Sequence, residues 1–293
     1  MSSTPPKQTV LITGCSADGI GHALALAFHA RGLHVFATAR NPSKMSSALL
    51  SLPDVTPLAL DVCSAASVAG AVEAVRAHTG GAGSLDYLIN NAGALYVAPV
   101  LDGDLDRARA LFDVNFWGVV AVTKAFAGLL VEARGCVVNL SSLAAVMYAP
   151  YYGYYAASKA AMQKLGETLR LEMQPLGVRV ITVVSGAVES KVFDNGGGFK
   201  SPEGSLYAPA EKEIAAHADG VFVKQNHSTL EDYSRVLVGD ILGGKTGLVY
   251  RGKMSSLVKV LLEWLPTWLF VSWLVFTERA IVDRTLLIQV GDG

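Results

Sequence analysis

Short apolar runs alternate with amphipathic stretches from Thr9 to about Val184, and no other pattern in the chain limits its architecture as much. The runs are Thr9–Thr13, His34–Thr38, Val55–Leu60, Tyr87–Asn90, Cys136–Leu140, Val178–Val184 and, later, Gly247–Tyr250. Each is β-branched or Leu-rich and bounded by Gly, Pro, Asp or Asn, the marks of a short buried strand. Between them lie helical patterns at Ile20–Arg31, Ser64–His78, Leu105–Ala133 and Tyr155–Pro175. Strands alternating with helices of this length imply βαβ units with right-handed crossovers and a parallel sheet covered on both faces. The expected fold is therefore α/β, a doubly wound parallel sheet of about seven strands. Ligands of such a sheet bind at the carboxyl ends of its strands, near the switch point.

The pattern breaks from Glu189 to about Ser228, where Gly196–Gly198, Pro202, Gly204 and Pro209 punctuate it. A segment that long inside a compact domain reads as a lid or binding segment. A helix follows at Leu230–Leu242, ended by Gly243 and Gly244. The predicted organisation is a catalytic domain over 1–252, with its substrate lid at about 189–228, and a hydrophobic helical C-terminal tail over 253–293.

Composition removes several function classes. Lys and Arg number 24 against 25 Asp and Glu, a net charge of −1. That balance argues against a nucleic-acid binder, which carries a basic surplus or stripe. With 51% hydrophobic and 17% charged residues, disorder is not the main state. The cysteines Cys15, Cys63 and Cys136 are odd in number and widely spaced, so they form neither a disulfide framework nor a zinc site. No metal is expected. The opening MSSTPPKQ lacks the apolar stretch of a secretory leader, which predicts an intracellular protein.

TGCSADGIG (Thr13–Gly21) follows the first strand and opens the first helix. Its glycines permit a tight turn and close backbone approach to a pyrophosphate, and the helix N-terminus offers free N–H groups. The candidate contacts are Gly14, Ser16, Gly19, Ile20 and Gly21. The second strand ends at Ala37-Thr38-Ala39-Arg40, with Arg40 where an NAD site carries an acid. A guanidinium suits a 2′-phosphate, so NADP(H) is the expected cofactor. NNAG (Asn90–Gly93) ends the fourth strand as a turn signal. Tyr155 and Lys159 stand at i, i+4 and share one helix face. An ammonium there would stabilise a phenolate and lower the phenol pKa. Ser142 ends the fifth strand, 13 residues before Tyr155, where a hydroxyl could hold a substrate carbonyl.

Together with Asn115 in DVNFWG, VNLSS (Val138–Ser142) and YAASK (Tyr155–Lys159), these motifs occur in the order of the short-chain dehydrogenase/reductase family. The chain resembles that Rossmann-type family over roughly residues 8–250. The resemblance implies Tyr155 as general acid/base and Ser142 as the group that orients the carbonyl. It implies Lys159 as the residue that lowers the Tyr155 pKa and binds the nicotinamide ribose, and Asn115 as holder of a relay water. It also implies Asp61 at the adenine, Asn91 and Gly93 along the cofactor, and Val188 and Ser190 at the nicotinamide amide. Two departures stand out. Four residues separate Gly14 from Gly19 where the family has three, and Ser185-Gly186 replaces the usual Pro-Gly after the sixth strand.

LEDYSRVLVGDIL and VYRGKMSSLVKVLLEWLPTWL resemble the fungal branch that includes NADPH-dependent 1-acyldihydroxyacetone-phosphate reductases. That branch is also similar to tailoring reductases of fungal secondary metabolism. The expected activity is interconversion of a ketone and a secondary alcohol on a hydrophobic substrate, an acyl-dihydroxyacetone phosphate or a terpenoid or polyketide intermediate. A noncatalytic membrane-surface scaffold is the reading of another class, against which the intact Ser142, Tyr155 and Lys159 argue. From Glu189 to Ser228 stand four Lys and no Arg against six acids, which gives a phosphate-bearing substrate no support. Tyr148, Tyr151, Tyr152 and Tyr154 beside Tyr155 either line an apolar pocket with polar tips or serve packing.

In the tail, Val260–Phe276 is apolar except for Glu263, Thr267 and Ser272, and it carries Trp264, Trp268 and Trp273. It is short of the ~20 residues a spanning helix needs, and Pro266 splits it. Lys253, Lys259, Arg279 and Arg284 flank it. One reading lays it on a membrane, which the resemblance to the 1-acyldihydroxyacetone-phosphate reductases implies is the endoplasmic reticulum or a lipid droplet, and the other makes it a pocket flap or a contact in a homo-oligomer.

Overall fold

The computed structural model describes residues 7–80, 83–224, 226–266 and 268–269. Strands β1 (Thr9–Ile12), β2 (His34–Ala39), β3 (Val55–Ala59), β4 (Tyr87–Asn90), β5 (Cys136–Leu140), β6 (Arg179–Ser185) and β7 (Gly247–Arg251) form one sheet in the order β3-β2-β1-β4-β5-β6-β7. Every neighbouring pair is parallel. The helices are α1 (Ile20–His29), α2 (Ser47–Leu50), α3 (Ala65–Thr79), α4 (Leu105–Phe112), α5 (Gly118–Ala133), α6 (Gly153–Met173), α7 (Glu211–Ala218), α8 (Val221–Lys224), α9 (Leu230–Leu242) and α10 (Ser255–Trp264).

The central strands are apolar throughout because both faces are covered, and alternate side chains feed different cores. Val10, Ile12, Val35, Ile89, Val138 and Ile181 pack against Leu24 and Phe28 of α1 and Leu237 and Ile241 of α9. Leu11, Phe36, Leu88, Val137 and Val180 pack against Val72 and Val75 of α3 and Val122 and Phe126 of α5. The order reverses beside β1, so β1 and β4 flank the switch point where a doubly wound sheet binds its ligand.

The expected strands appear with ends moved by a residue, and three other differences bear on the site. The helix expected over Leu105–Ala133 is interrupted by a π-helical turn at Asp113–Trp117. Gly118 lies where a Cβ would stand 2.7 Å from Val62, so the helix sits close on its neighbour there. The 105–133 stretch is long and apolar enough to cross a membrane. Val122, Phe126, Leu129 and Leu130 of its second half are nevertheless core residues over the sheet. The lid is not bare loop, since it folds α7 and α8. The tail also begins inside the fold. Ser255 donates its hydroxyl to Gly252 O at 2.7 Å, and Val258 of α10 is buried. Packing thus continues past the expected boundary at 252. Residues 270–293, Trp273 among them, lie outside the described residues.

Candidate active site

The Gly-rich loop is anchored from both sides. Cys15 N–H donates to Thr38 O at the end of β2, at 2.7 Å, and Thr13 N–H donates to Ile89 O in β4. Asn91 Nδ2 donates to Thr13 O at 2.7 Å and Gly14 O at 3.0 Å, while Thr13 Oγ1 accepts from the N–H groups of Asn91 and Ala92. Asn91 therefore acts through its side chain as a brace of the loop. Glycine is required at Gly21, where a Cβ would stand 2.3 Å from Gly14 O, and at Gly14, whose φ is +78°. Within the lengthened loop Asp18 adopts a left-handed φ of 57°.

Gly19 caps α1 without any side-chain bond, so the first-turn N–H groups of Ile20 and Gly21 stay open to an anion. Ser16 is exposed beside them. Arg40 is exposed at the end of β2, and no bond occupies its guanidinium among the described residues. Asp61 accepts the Cys63 N–H on one carboxylate oxygen, which leaves the other uncommitted. A tight glycine cradle, open helix N–H groups, a free guanidinium and a free carboxylate oxygen fit a phosphorylated dinucleotide.

Ser142, Tyr155 and Lys159 converge at the carboxyl end of β5. Ser142 caps a 3₁₀ turn at Leu143–Ala145, its Oγ accepting from Ala144 N–H at 3.2 Å. Burial raises the Tyr155 pKa, and the nearby Ser142 hydroxyl opposes that rise. Lys159 Nζ donates to Leu140 O at 2.9 Å and sits 5.9 Å from the Tyr155 ring centroid. Burial lowers its pKa to about 8. The phenolate-stabilising ion pair expected from the i, i+4 spacing is thus not formed in this geometry. The ammonium is turned to a carbonyl, and desolvation dominates both groups.

Asn115 is fully buried in the π-helical turn. Its Oδ1 accepts from Ala94 N–H at 2.8 Å, and its Nδ2 donates to Ala94 O and Ser158 Oγ, both at 3.0 Å. The side chain is committed to holding the chain beyond β4, so a relay water would have to meet its backbone. Gly93 lies between Asn115 and Lys159, where a Cβ would stand 3.3 Å from Asn115 Oδ1 and 3.4 Å from Lys159 Nζ.

Beyond β6, the missing proline is replaced by hydrogen bonds. Ser185 Oγ and the buried Tyr233 OH lie 2.6 Å apart, and Gly186 N–H donates to Arg251 O at 2.8 Å. A Cβ at Gly186 would stand 2.0 Å from Lys253 O, so the turn is tight even without a ring. Val188 is buried and bridges to Ser228, which leads to the half-exposed Ser190.

The wall beside Tyr155 is apolar. Val192, Phe193 and Phe199 of the lid pack with Leu95, Val97, Tyr151, Tyr152 and Tyr155. The tyrosine run therefore splits. Tyr151 and Tyr152 join this wall, Tyr154 stacks on Tyr96 and donates to Val100 O, and Tyr148 is exposed. Arg107 lies over the Tyr96 ring at 4.4 Å and donates to Gly196 O.

Sequence reasoning does not single out Asn139, Thr123 or Ser158. Asn90 Nδ2 donates to Thr123 Oγ1 and to Asn139 Oδ1 across β4 and β5, and Ser158 supports Asn115. For Asn139, a polar residue inside an apolar strand run is the signal that could have found it, because buried amides persist only when paired; Thr123 and Ser158, on helices, carry no such signal.

Residues 8–197 match the family model described as short chain dehydrogenase. The chain is 45% identical to the short-chain dehydrogenase PC-15 of Penicillium crustosum over 97% of this chain and 98% of that protein. It is 39% identical to the NADPH-dependent 1-acyldihydroxyacetone phosphate reductase of Schizosaccharomyces pombe, over 86% and 82%. Among solved structures, a short chain dehydrogenase from Burkholderia cenocepacia in complex with NADP is similar at a TM-score of 0.71 and 26% identity, over 91% of this chain and 97% of that one.

Proposed function

The chain belongs to the short-chain dehydrogenase family and is an NADP(H)-dependent oxidoreductase, and from that premise we propose that it interconverts a ketone and a secondary alcohol on a hydrophobic substrate without a phosphate. The observation that carries the substrate class is the wall of Val192, Phe193, Phe199, Leu95, Val97 and Tyr151 around Tyr155. Three cations of the lid and its surroundings are engaged. Lys191 pairs with Asp18 at 2.6 Å, Lys224 pairs with Asp194 at 2.9 Å, and Arg107 is held by Tyr96 and Gly196. A substrate phosphate would have to compete for one of these or draw on the exposed Lys200 next to Phe199. The Schizosaccharomyces relative, named for a phosphate-bearing substrate, supports the competing reading.

The nicotinamide, when bound, supplies or accepts a hydride at the carbonyl carbon. The chain's own groups handle the oxygen. Ser142, near the Tyr155 hydroxyl, orients the carbonyl oxygen toward that hydroxyl. Burial keeps the Tyr155 proton on at neutral pH, which suits reduction, where Tyr155 gives that proton to the developing alkoxide. Lys159, with a pKa of about 8, is the adjacent group able to hold and return a proton near neutrality, and it is also the partner for the nicotinamide ribose. Asn115 fixes Ala94 and Ser158 around it. Arg40 takes the 2′-phosphate, the first turn of α1 takes the diphosphate, and Asp61 takes the adenine.

The tail suits a membrane face, and only the resemblance to the 1-acyldihydroxyacetone-phosphate reductases points to the endoplasmic reticulum or a lipid droplet. Trp264 is 80% exposed and Trp268 69% exposed, and Leu257 and Val260 of α10 are also turned outward, with Lys259 between them. Trp and Lys at one surface favour the headgroup region.

The test is NADPH consumption against a panel of acyl-dihydroxyacetone phosphate and unphosphorylated cyclic ketones. Turnover of ketones with little on the phosphate ester is expected. Preference for the phosphate ester would overturn the substrate reading and leave the reaction class intact.

A further inference from the structure

The lengthened Gly-rich loop meets the lid. Asp18, in its left-handed conformation, accepts a hydrogen bond from Lys191 Nζ at 2.6 Å. Lys191 opens the first turn of the lid, where its carbonyl accepts from Asn195 N–H. The pair therefore joins the loop after β1 to the segment after β6. Those strands are separated in the sheet by β4 and β5, which puts their exits roughly 14 Å apart at ~4.8 Å per strand. The contact thus crosses the carboxyl edge of the sheet above Asn91–Gly93 and Ser142. That is the crevice in which a doubly wound sheet holds its dinucleotide.

The charge is as unusual as the position. The first turn of α1 attracts anions through its N–H groups and dipole. A carboxylate one residue before Gly19 opposes a diphosphate there unless a cation cancels it. Lys191 holds the Asp18 carboxyl below the usual carboxylate range, chiefly by the hydrogen bond and then by charge, with a smaller contribution from His22. Asp18 is therefore ionised at neutral pH.

We propose that Asp18 and Lys191 form a strap across the NADP(H) crevice: Lys191 cancels the acid in the phosphate loop, and the pair ties the lid to that loop and slows cofactor release. Lys191 and Asp18 are positioning residues for the cofactor. The proposal rests on the diphosphate lying at α1, and NADP⁺ binding by the wild type, measured first, checks that reading separately. The side chains are 53% and 69% exposed, so substitution leaves the core untouched.

The experiment is NADP⁺ titration by calorimetry and stopped-flow release on the full chain, at low and high salt. Lys191→Met is expected to raise Kd about 3- to 10-fold at low salt and to speed release, the scale of one partly exposed charge pair beside an anion. Adding Asp18→Asn to that variant is expected to return Kd to near the wild-type value, because the unbalanced carboxylate is gone, while release stays fast. High salt is expected to shrink both differences. Without cofactor, limited proteolysis within residues 189–228 is expected to quicken in either single variant. An unchanged Kd in Lys191→Met, the same loss in the double variant, or unchanged proteolysis overturns the strap.

Discussion

Lys159→Met is expected to stabilise the protein at neutral pH while removing its activity. Lys159 is only 6% exposed, and burial pulls its pKa from the 10.5 of a free lysine to about 8. At ~1.36 kcal/mol per pK unit, keeping the ammonium charged at about pH 7 costs the folded state about 3 kcal/mol. Methionine fills a similar volume without charge, but Leu140 O then loses its 2.9 Å donor, a loss of about 1–1.5 kcal/mol. The net expectation is a gain of about 1–2 kcal/mol. The pH dependence has a definite sign. Between about 8 and 10.5 the unfolded chain holds the lysine proton and the folded chain does not. The wild type therefore gains stability as pH rises through that window. The variant's advantage is full below about pH 8 and is gone, or reversed, by about 10.5. Burial pushes Cys15, Cys136 and Tyr233 up to about 12, 11 and 12; they titrate in both proteins and cancel in the difference. Urea unfolding of both proteins across this pH range measures it. A variant less stable than wild type at about pH 7, or a difference that stays flat up to about pH 10, refutes the buried-charge reasoning. A stable but inactive variant would mean that a charge disfavoured by the fold is retained for chemistry.

Tyr155→Phe is expected to lower kcat by roughly two to four decades, the scale of a general acid/base, with NADP⁺ affinity kept; near-normal turnover by folded protein would remove Tyr155 from the mechanism. Arg40→Asp is expected to weaken NADPH binding by about 1–3 kcal/mol, through lost charged hydrogen bonds and new repulsion, while sparing NADH. Equal affinities for NADPH before and after the change would make Arg40 a bystander. A chain ended after Pro266 is expected to fold and to float with vesicles less than the full chain, since it keeps Trp264 but loses Trp268. The cut belongs there because ending at Ser256 would remove the buried Val258. Full-length protein that never floats with vesicles assigns the tail to a protein contact.

Local chemistry makes most of the fold legible in the residues themselves. Apolar β-branched runs between helical patterns define β1 to β7, since a strand buried on both faces has no polar side to show. The cofactor loop, Arg40, Ser142, Tyr155 and Lys159 are readable for the same reason: each depends on residue type at a fixed spacing within one turn or one helix. The π-helical turn at Asp113–Trp117 is not readable from helix periodicity, and the Gly118 that follows it packs on Val62, far away in sequence. The direction of the Lys159 side chain escapes for a related reason. Helix spacing puts it on the face of Tyr155, but the end of β5 offers a carbonyl that accepts its hydrogen bond.

Sequence alone determined that this chain is a doubly wound sheet with a dinucleotide loop and a Ser–Tyr–Lys set, because local periodicity and turn chemistry encode those features. It also displayed the extra residue between Gly14 and Gly19 and the missing proline at Ser185, though only as counts. Tertiary structure decided what they do. Ser185 meets Tyr233 of α9, and Asp18 meets Lys191 at a separation of 173 positions. No local propensity encodes such contacts; they exist only once the strand order sets the exits of β1 and β6 along one edge of the sheet.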